Sequence, residues 1–204
     1  PRYFLPDSRG GYFSPVGDSS ALSYAGENVF ELQTPNGTVS SFSLVADPST
    51  GLLESIEDLH GNKITAVYDD GLLASLTHTS GRQLTFAYDG SGRIAAITDN
   101  FDRTVDYAYD EAGHLSSVSG IDDIEVAYGY GDDSGIGAED ALVSIARAST
   151  ALLEIDYDEV GRLIRLSRPS NQEGFDFSYD TAAGVAITDA VGNSKTLAID
   201  QLGF

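Results

Sequence analysis

The chain has 204 residues, with 32 acidic and 11 basic side chains and a formal net charge of -21. That balance excludes nucleic-acid binding through backbone phosphates, which needs clustered Lys and Arg, and attraction to anionic lipid. No apolar run reaches the roughly 18 residues of a membrane-spanning helix, so no membrane insertion is expected. There is no Cys, which removes disulfides, thiolate nucleophiles and sulfur-ligated metals and suits an exported protein.

The first 25 residues are rich in Pro, Gly and Ser and read as an irregular lead-in. Strands follow at about 29–34 and 38–45, joined by the tight-turn signal Pro35-Asn36-Gly37. These strands are expected to extend the sheet that follows and to cap its first edge. Asp47-Pro48-Ser49-Thr50-Gly51 reads as a turn between strands.

From there a repeat sets the organisation. Tyr-Asp recurs at Tyr68-Asp69, Tyr88-Asp89, Tyr109-Asp110, Tyr157-Asp158 and Tyr179-Asp180, with degenerate copies at Tyr130-Gly131 and Ile199-Asp200. The steps are 20, 21, 21, 27, 22 and 20 residues. Fixed-period self-similarity of this kind marks a repeat architecture. After most pairs comes a Gly leading into aliphatic residues: Gly71, Gly92, Gly113 and Gly161. A second Gly turn lies midway in many units, at Gly61, Gly81 and Gly192. The strand before each Tyr-Asp alternates. Leu84, Phe86 and Tyr88 share one parity, as do Val105, Tyr107 and Tyr109, Leu153, Ile155 and Tyr157, and Phe175, Phe177 and Tyr179. Period-two alternation predicts strands with one buried face. The fold class is therefore all-β: tandem antiparallel hairpins, as an open curved sheet or as a partial shell or barrel. About seven units are expected over residues 26–204. The long 27-residue step places an insertion at 131–140 in a protruding loop.

The unit over residues 92–110, Gly-Arg-Ile-Ala-Ala-Ile-Thr-Asp leading to Val-Asp-Tyr-Ala-Tyr-Asp, resembles the Rhs or YD-repeat family. That family includes Rhs polymorphic toxins, the C components of Tc toxins and teneurins. The resemblance covers roughly residues 26–204 and implies a long β-sheet that spirals into a shell, or serves as an adhesive or structural scaffold. The chain has too few repeats to enclose a cargo, and it lacks the self-cleaving core region of the toxin members. With no Met at position 1 and a final 200–204 that looks like the opening of another unit, it is expected to be a piece of a longer array.

Several side chains invite chemistry. The Tyr row reads as a cross-strand ladder, or as faces that stack on sugar rings. The Asp of each pair reads as an acceptor for backbone N–H groups in its turn, or as a repeated calcium ligand. Asp132, Asp133, Glu139 and Asp140 are the best calcium candidates, because calcium takes six to eight oxygens; otherwise they form a solvated acidic loop. His60, His78 and His114 lack zinc-ligand spacing. No Gly-x-Ser-x-Gly elbow, phosphate loop or isolated carboxylate pair stands out, so no enzyme activity is expected. The leading expectation is a non-catalytic structural module of a large secreted or cell-surface bacterial protein, partnered by the rest of that protein. The alternatives are a self-assembling fibre subunit, whose partners are its own copies, and a carbohydrate-binding adhesin, whose partners are glycans.

Overall fold

The computed structural model describes residues 4–9, 11–14, 16–26, 28–44, 51–122, 124–131, 140–169, 173–180 and 184–197. Among them every regular element is a strand, and the strand pairings within each unit are antiparallel. The chain divides into two compact units, Pro1–Thr104 and Val105–Phe204.

The first unit holds β1 (Leu5–Pro6), β2 (Tyr12–Phe13), β3 (Ala21–Gly26), β4 (Val29–Gln33), β5 (Val39–Leu44), β6 (Gly51–Glu57), β7 (Lys63–Asp69), β8 (Leu72–His78), β9 (Gln83–Tyr88) and β10 (Ile94–Asp99). The short β1 and β2 pair with each other, while β3 to β10 pair in sequence order. The expected strands at 29–34 and 38–45 are β4 and β5, and they do extend the sheet. The stretch 1–25 differs from the expected lead-in. It contains β1, β2 and most of β3, and Phe30 anchors it by an edge contact with Tyr12 and a tilted contact with Tyr24, ring centroids 5.6 and 5.3 Å apart. Residues 45–50, with most of the Asp-Pro-Ser-Thr-Gly motif, lie outside the described residues.

The second unit holds β11 (Thr104–Tyr109), β12 (Leu115–Ser119), β13 (Glu125–Tyr130), β14 (Leu142–Arg147), β15 (Thr150–Tyr157), β16 (Leu163–Arg168), β17 (Glu173–Asp180), β18 (Gly184–Asp189) and β19 (Ser194–Leu197). These also pair in sequence order.

Eight turns share one backbone design. At Thr34, Asp58, His78, Asp89, Asp99, Asp110, Asp158 and Asp189 the N–H donates to the carbonyl four residues on, and the carbonyl accepts from the N–H three residues on, all at 2.8–3.2 Å. This is a three-residue hairpin loop closed by a left-handed residue. That fourth residue is Gly in seven cases and Asp102, at φ 60°, in the eighth. The left-handed requirement explains the regular glycines of the sequence.

The alternating apolar parity produces a face that is half-buried rather than buried. Among the described residues no apolar side chain is fully buried. Leu84 and Phe175, expected to point into a core, remain 41% and 47% exposed. Their cover comes from cross-strand neighbours such as Leu76 opposite Leu84 and Leu166 opposite Phe175.

Candidate functional site: the clasp between repeats

Six of the hairpins contain a register break with a fixed place. In β8, Tyr68 lies opposite Leu73 but Val67 lies opposite Ser75, so Ala74 is the extra residue of a β-bulge. The same break puts Glu54, Ala95, Ser116, Val143 and Ile164 out of register in β6, β10, β12, β14 and β16. The bulged strand then pairs only briefly with the strand after it. The β8–β9 ladder, for instance, covers only Ser75–Thr77 against Gln83–Thr85.

The tyrosine of the following repeat fills the space beyond that ladder. Tyr88 Oη donates to the Leu73 carbonyl at 2.8 Å. Tyr68 donates to Leu53 at 3.0 Å, Tyr130 to Leu115 at 3.0 Å, Tyr157 to Leu142 at 3.1 Å and Tyr179 to Leu163 at 2.8 Å. Every acceptor is the residue before the bulge, one repeat back. A carbonyl that the ladder does not reach needs a partner, and the phenol supplies it. Tyr130 belongs to a degenerate Tyr-Gly pair and makes the same bond as the intact pairs. Tyr109 sits half-buried on β11 opposite Leu115.

The aspartates build the turns. Asp89 Oδ1 accepts the amides of Ser91 and Arg93, both at 2.9 Å, and its Oδ2 accepts Arg93 Nε at 2.8 Å. Asp158 does the same with Val160 and Arg162, and Asp110 accepts from the amide and ring of His114. Asp69 does not follow this scheme. Its hairpin closes through two left-handed residues, Asp70 and Gly71, and Asp69 pairs directly with Leu72. Asp180 pairs with Gly184 through the backbone. Gly92, Gly113 and Gly161 occupy the left-handed fourth position, at φ 76°, 97° and 79°.

Three further aspartates, outside the Tyr-Asp pairs, form the same cage. Asp58 and Asp189 accept the amides and the Nδ2 groups of Asn62 and Asn193, and Asp99 accepts the Arg103 amide and guanidinium. The signal for them is Asp three residues before Gly or Asp, followed by Arg, Asn or His. All six carboxyls are held below the usual range. The Asn62 and Asn193 side-chain Nδ2 groups lead for Asp58 and Asp189, the Arg103 guanidinium for Asp99, and the Arg93 and Arg162 backbone amides for Asp89 and Asp158. For Asp110 desolvation pulls upward most strongly, and the bonds from His114 together outweigh it.

The fifth turn residue carries the link onward. The Arg162 guanidinium, bound to Asp158, lies over the Tyr179 ring at 4.5 Å. His114, bound to Asp110, stacks on Tyr130 at 4.6 Å. A carboxylate in one repeat thus positions a cation or ring against the next repeat's tyrosine, whose hydroxyl returns to the first repeat's bulge.

Of the calcium candidates, Asp132, Asp133 and Glu139 lie outside the described residues. Asp140 is described and pairs with His114 Nε2 at 3.0 Å. Among the described residues no cluster of three or more His, Asp or Glu is arranged to hold a metal.

This repeating clasp is the setting for the comparisons with known proteins. The teneurin YD-shell family matches residues 17–201. The chain belongs to the teneurin YD-shell family. Two solved structures share its fold. One is the TcdB2–TccC3 complex without its hypervariable C-terminal region, at 14% identity and a TM-score of 0.51, covering 91% of this chain and 13% of that one. The other is the Photorhabdus luminescens Tc holotoxin pore, at 14% identity and a TM-score of 0.53, covering 97% of this chain and 14% of that one. At that identity the likeness concerns the fold, and the chain spans about a seventh of either match. No curated protein matches. As a YD-shell the chain is a structural module, and the clasp is the part of the repeat that couples one unit to the next.

Proposed function

We propose that this chain is a non-catalytic stretch of YD-repeat scaffold within a larger secreted or cell-surface bacterial protein. The observation that carries this reading is the hydroxyl-to-bulge bond made by Tyr68, Tyr88, Tyr130, Tyr157 and Tyr179. It commits the most conspicuous aromatic groups of the chain to holding repeats together. A sugar-stacking adhesin needs those rings exposed and their hydroxyls free; here the rings are half-buried and the hydroxyls donate to backbone. Family membership and the Tc toxin shells of the same fold support the scaffold reading, and the absence of Cys fits export.

Negative-stain electron microscopy of the purified chain at physiological salt tests it. Dispersed compact particles are expected. Ordered filaments would replace the scaffold reading with the fibre-subunit one. A glycan-array signal lost on substituting these tyrosines would replace it with the adhesin one.

A further inference from the structure

We infer that the trough beside the 78–82 turn binds a small carboxylate carried on an apolar body, and that Arg82 receives the carboxylate. Four of the eight shared turns have arginine in the fifth position. In three of them, at Arg93, Arg103 and Arg162, Nε donates to Oδ2 of the aspartate that opens the same turn, at 2.7–2.8 Å. The fourth turn opens with His78 instead. Its Nδ1 accepts the Ser80 amide at 3.0 Å and so replaces one arm of the cage, but an imidazole has no second oxygen to offer a guanidinium. Among the described residues the Arg82 guanidinium makes no ion pair with a carboxylate. The other three turns show what a guanidinium in this place holds, and here that partner is left for a ligand to supply.

The surroundings say what the carboxylate is attached to. Arg82 lines a trough of about 780 Å³ that lies within the first unit and falls in the size range of small-molecule sites. Its apolar lining is Ile64, Leu76, Leu84 and Phe101. Ile64 stands opposite His78 and Leu76 opposite Leu84, so three strands contribute, and Phe101 comes from the next turn. Ile64 and Leu84 are 40% and 41% exposed and Phe101 is 66% exposed, which leaves apolar area for a ligand to cover.

The charges of the lining favour one negative group and no more. Asp99 also lines the trough, but its carboxylate is held by the Phe101 amide and the Arg103 guanidinium, and its side chain is 14% exposed against 55% for Arg103. The Asp99–Arg103 pair is neutral as a unit, and Arg82 is the charge left over. A second acidic group on the ligand would meet Asp99. A peptide would carry backbone amides and carbonyls into a mainly apolar trough, which costs desolvation. An aryl or medium-chain alkyl monocarboxylate meets both conditions: its body covers the apolar lining and its two oxygens take the fork of Arg82.

An NMR titration of the full chain with 4-phenylbutyrate at physiological salt tests this. Saturable amide shifts are expected at Leu76, Arg82, Leu84 and Phe101, with a dissociation constant in the low millimolar range for a ligand of this size. Acetate lacks the body and 4-phenylbutyramide lacks the charge, and each should bind at least about tenfold more weakly. His78→Asp rebuilds the cage and recaptures Arg82. It should weaken binding at least about tenfold while melting no lower than the wild type, which separates loss of the site from loss of the fold. Arg82→Gln should weaken binding equally. Equal affinity for acid and amide, binding that survives His78→Asp, or no saturable shift at these residues overturns the proposal. Saturation by acetyl-Phe-Ala-Glu-amide and not by 4-phenylbutyrate overturns it in favour of a polypeptide partner.

Discussion

Replacing Tyr88 by Phe isolates one clasp bond. The ring stays, and only the hydroxyl that donates to the Leu73 carbonyl at 2.8 Å is lost. A typical intramolecular hydrogen bond contributes about 1 kcal/mol net, and an acceptor left dry costs about 1–3 kcal/mol. Leu73 and Tyr88 are both half-buried, so water recovers part of that cost and the expected loss is about 1 kcal/mol. For a chain of this length that is a fall in melting temperature of about 2–4 °C. Tyr107→Phe is the control. Tyr107 shares the apolar parity and half-burial but its hydroxyl makes no bulge contact, so its loss should stay within about 0.5 kcal/mol. Urea unfolding followed by circular dichroism reads both, with amide exchange across Ser75–Thr77 reporting whether the β8–β9 ladder opens locally. Equal effects of the two substitutions, or no effect at Tyr88, would refute the idea that the hydroxyl couples the repeats.

The caged carboxylates give an acid limb. Their folded pKa values are lowered, so their stabilisation is complete above the ordinary carboxylate value and is lost as pH falls through the lowered ones. The urea midpoint should drop below about pH 4, and most clearly near 1 M salt, where relief of the chain's negative self-repulsion no longer masks it. Asp89→Asn with Asp158→Asn should flatten that limb; an unchanged limb would mean other groups carry it. His78→Asp should raise the melting temperature, because His78 occupies the cage position and caps only Ser80, at 3.0 Å, whereas Asp in the other repeats also binds the fifth residue. Gly92→Ala places a β-carbon in open space at φ 76° and should cost about 1 kcal/mol. Gly37→Ala should cost more, since its β-carbon would meet the Leu59 side chain, and Gly92→Asp less, since Asp102 already holds that conformation. Urea midpoints in the order Gly92→Asp, Gly92→Ala, Gly37→Ala, from high to low, check this.

Much of the fold is legible in the sequence because Tyr, Asp and Gly each answer a local demand. Gly recurs where the backbone is left-handed, and the strand before each Tyr alternates as a strand must. The bulge was also written there, in a form that strict alternation hides. Leu53 and Ile56, Leu73 and Leu76, Ile94 and Ile97, Leu115 and Val118, Leu142 and Ile145, and Leu163 and Leu166 share a face at a spacing of three rather than two. In β18 the corresponding pair, Val185 and Ile187, keeps a spacing of two and the ladder is unbroken. The repeat that follows β18 has Ile199 where the others have Tyr, and so has no hydroxyl to offer a bulge. The caged Asp58, Asp99 and Asp189 escaped the Tyr-Asp pattern because the cage depends on the residue four places later, not on the residue before. The bond from Tyr to the previous bulge joins residues 15 or 16 apart on neighbouring strands, and no local pattern states which carbonyl a phenol will find.

That coupling answers a physical problem of the architecture. Among the described residues no apolar side chain is fully buried, so hydrophobic burial is incomplete at every repeat. A hairpin alone is marginal in water. Here six turns are closed by caged aspartates, and five tyrosines each tie a repeat to the one before it through a phenol that also satisfies the carbonyl a bulge leaves behind. In a quasi-one-dimensional array, stability is the sum of such intrinsic and nearest-neighbour contributions. Substituting Tyr68 and Tyr88 together by Phe should therefore cost more than either alone while leaving the β17–β18 hairpin, whose ladder has no bulge, protected from amide exchange. If protection instead fell evenly through the whole chain, the coupling would be global, and the repeat would not be the unit in which this fold is held together.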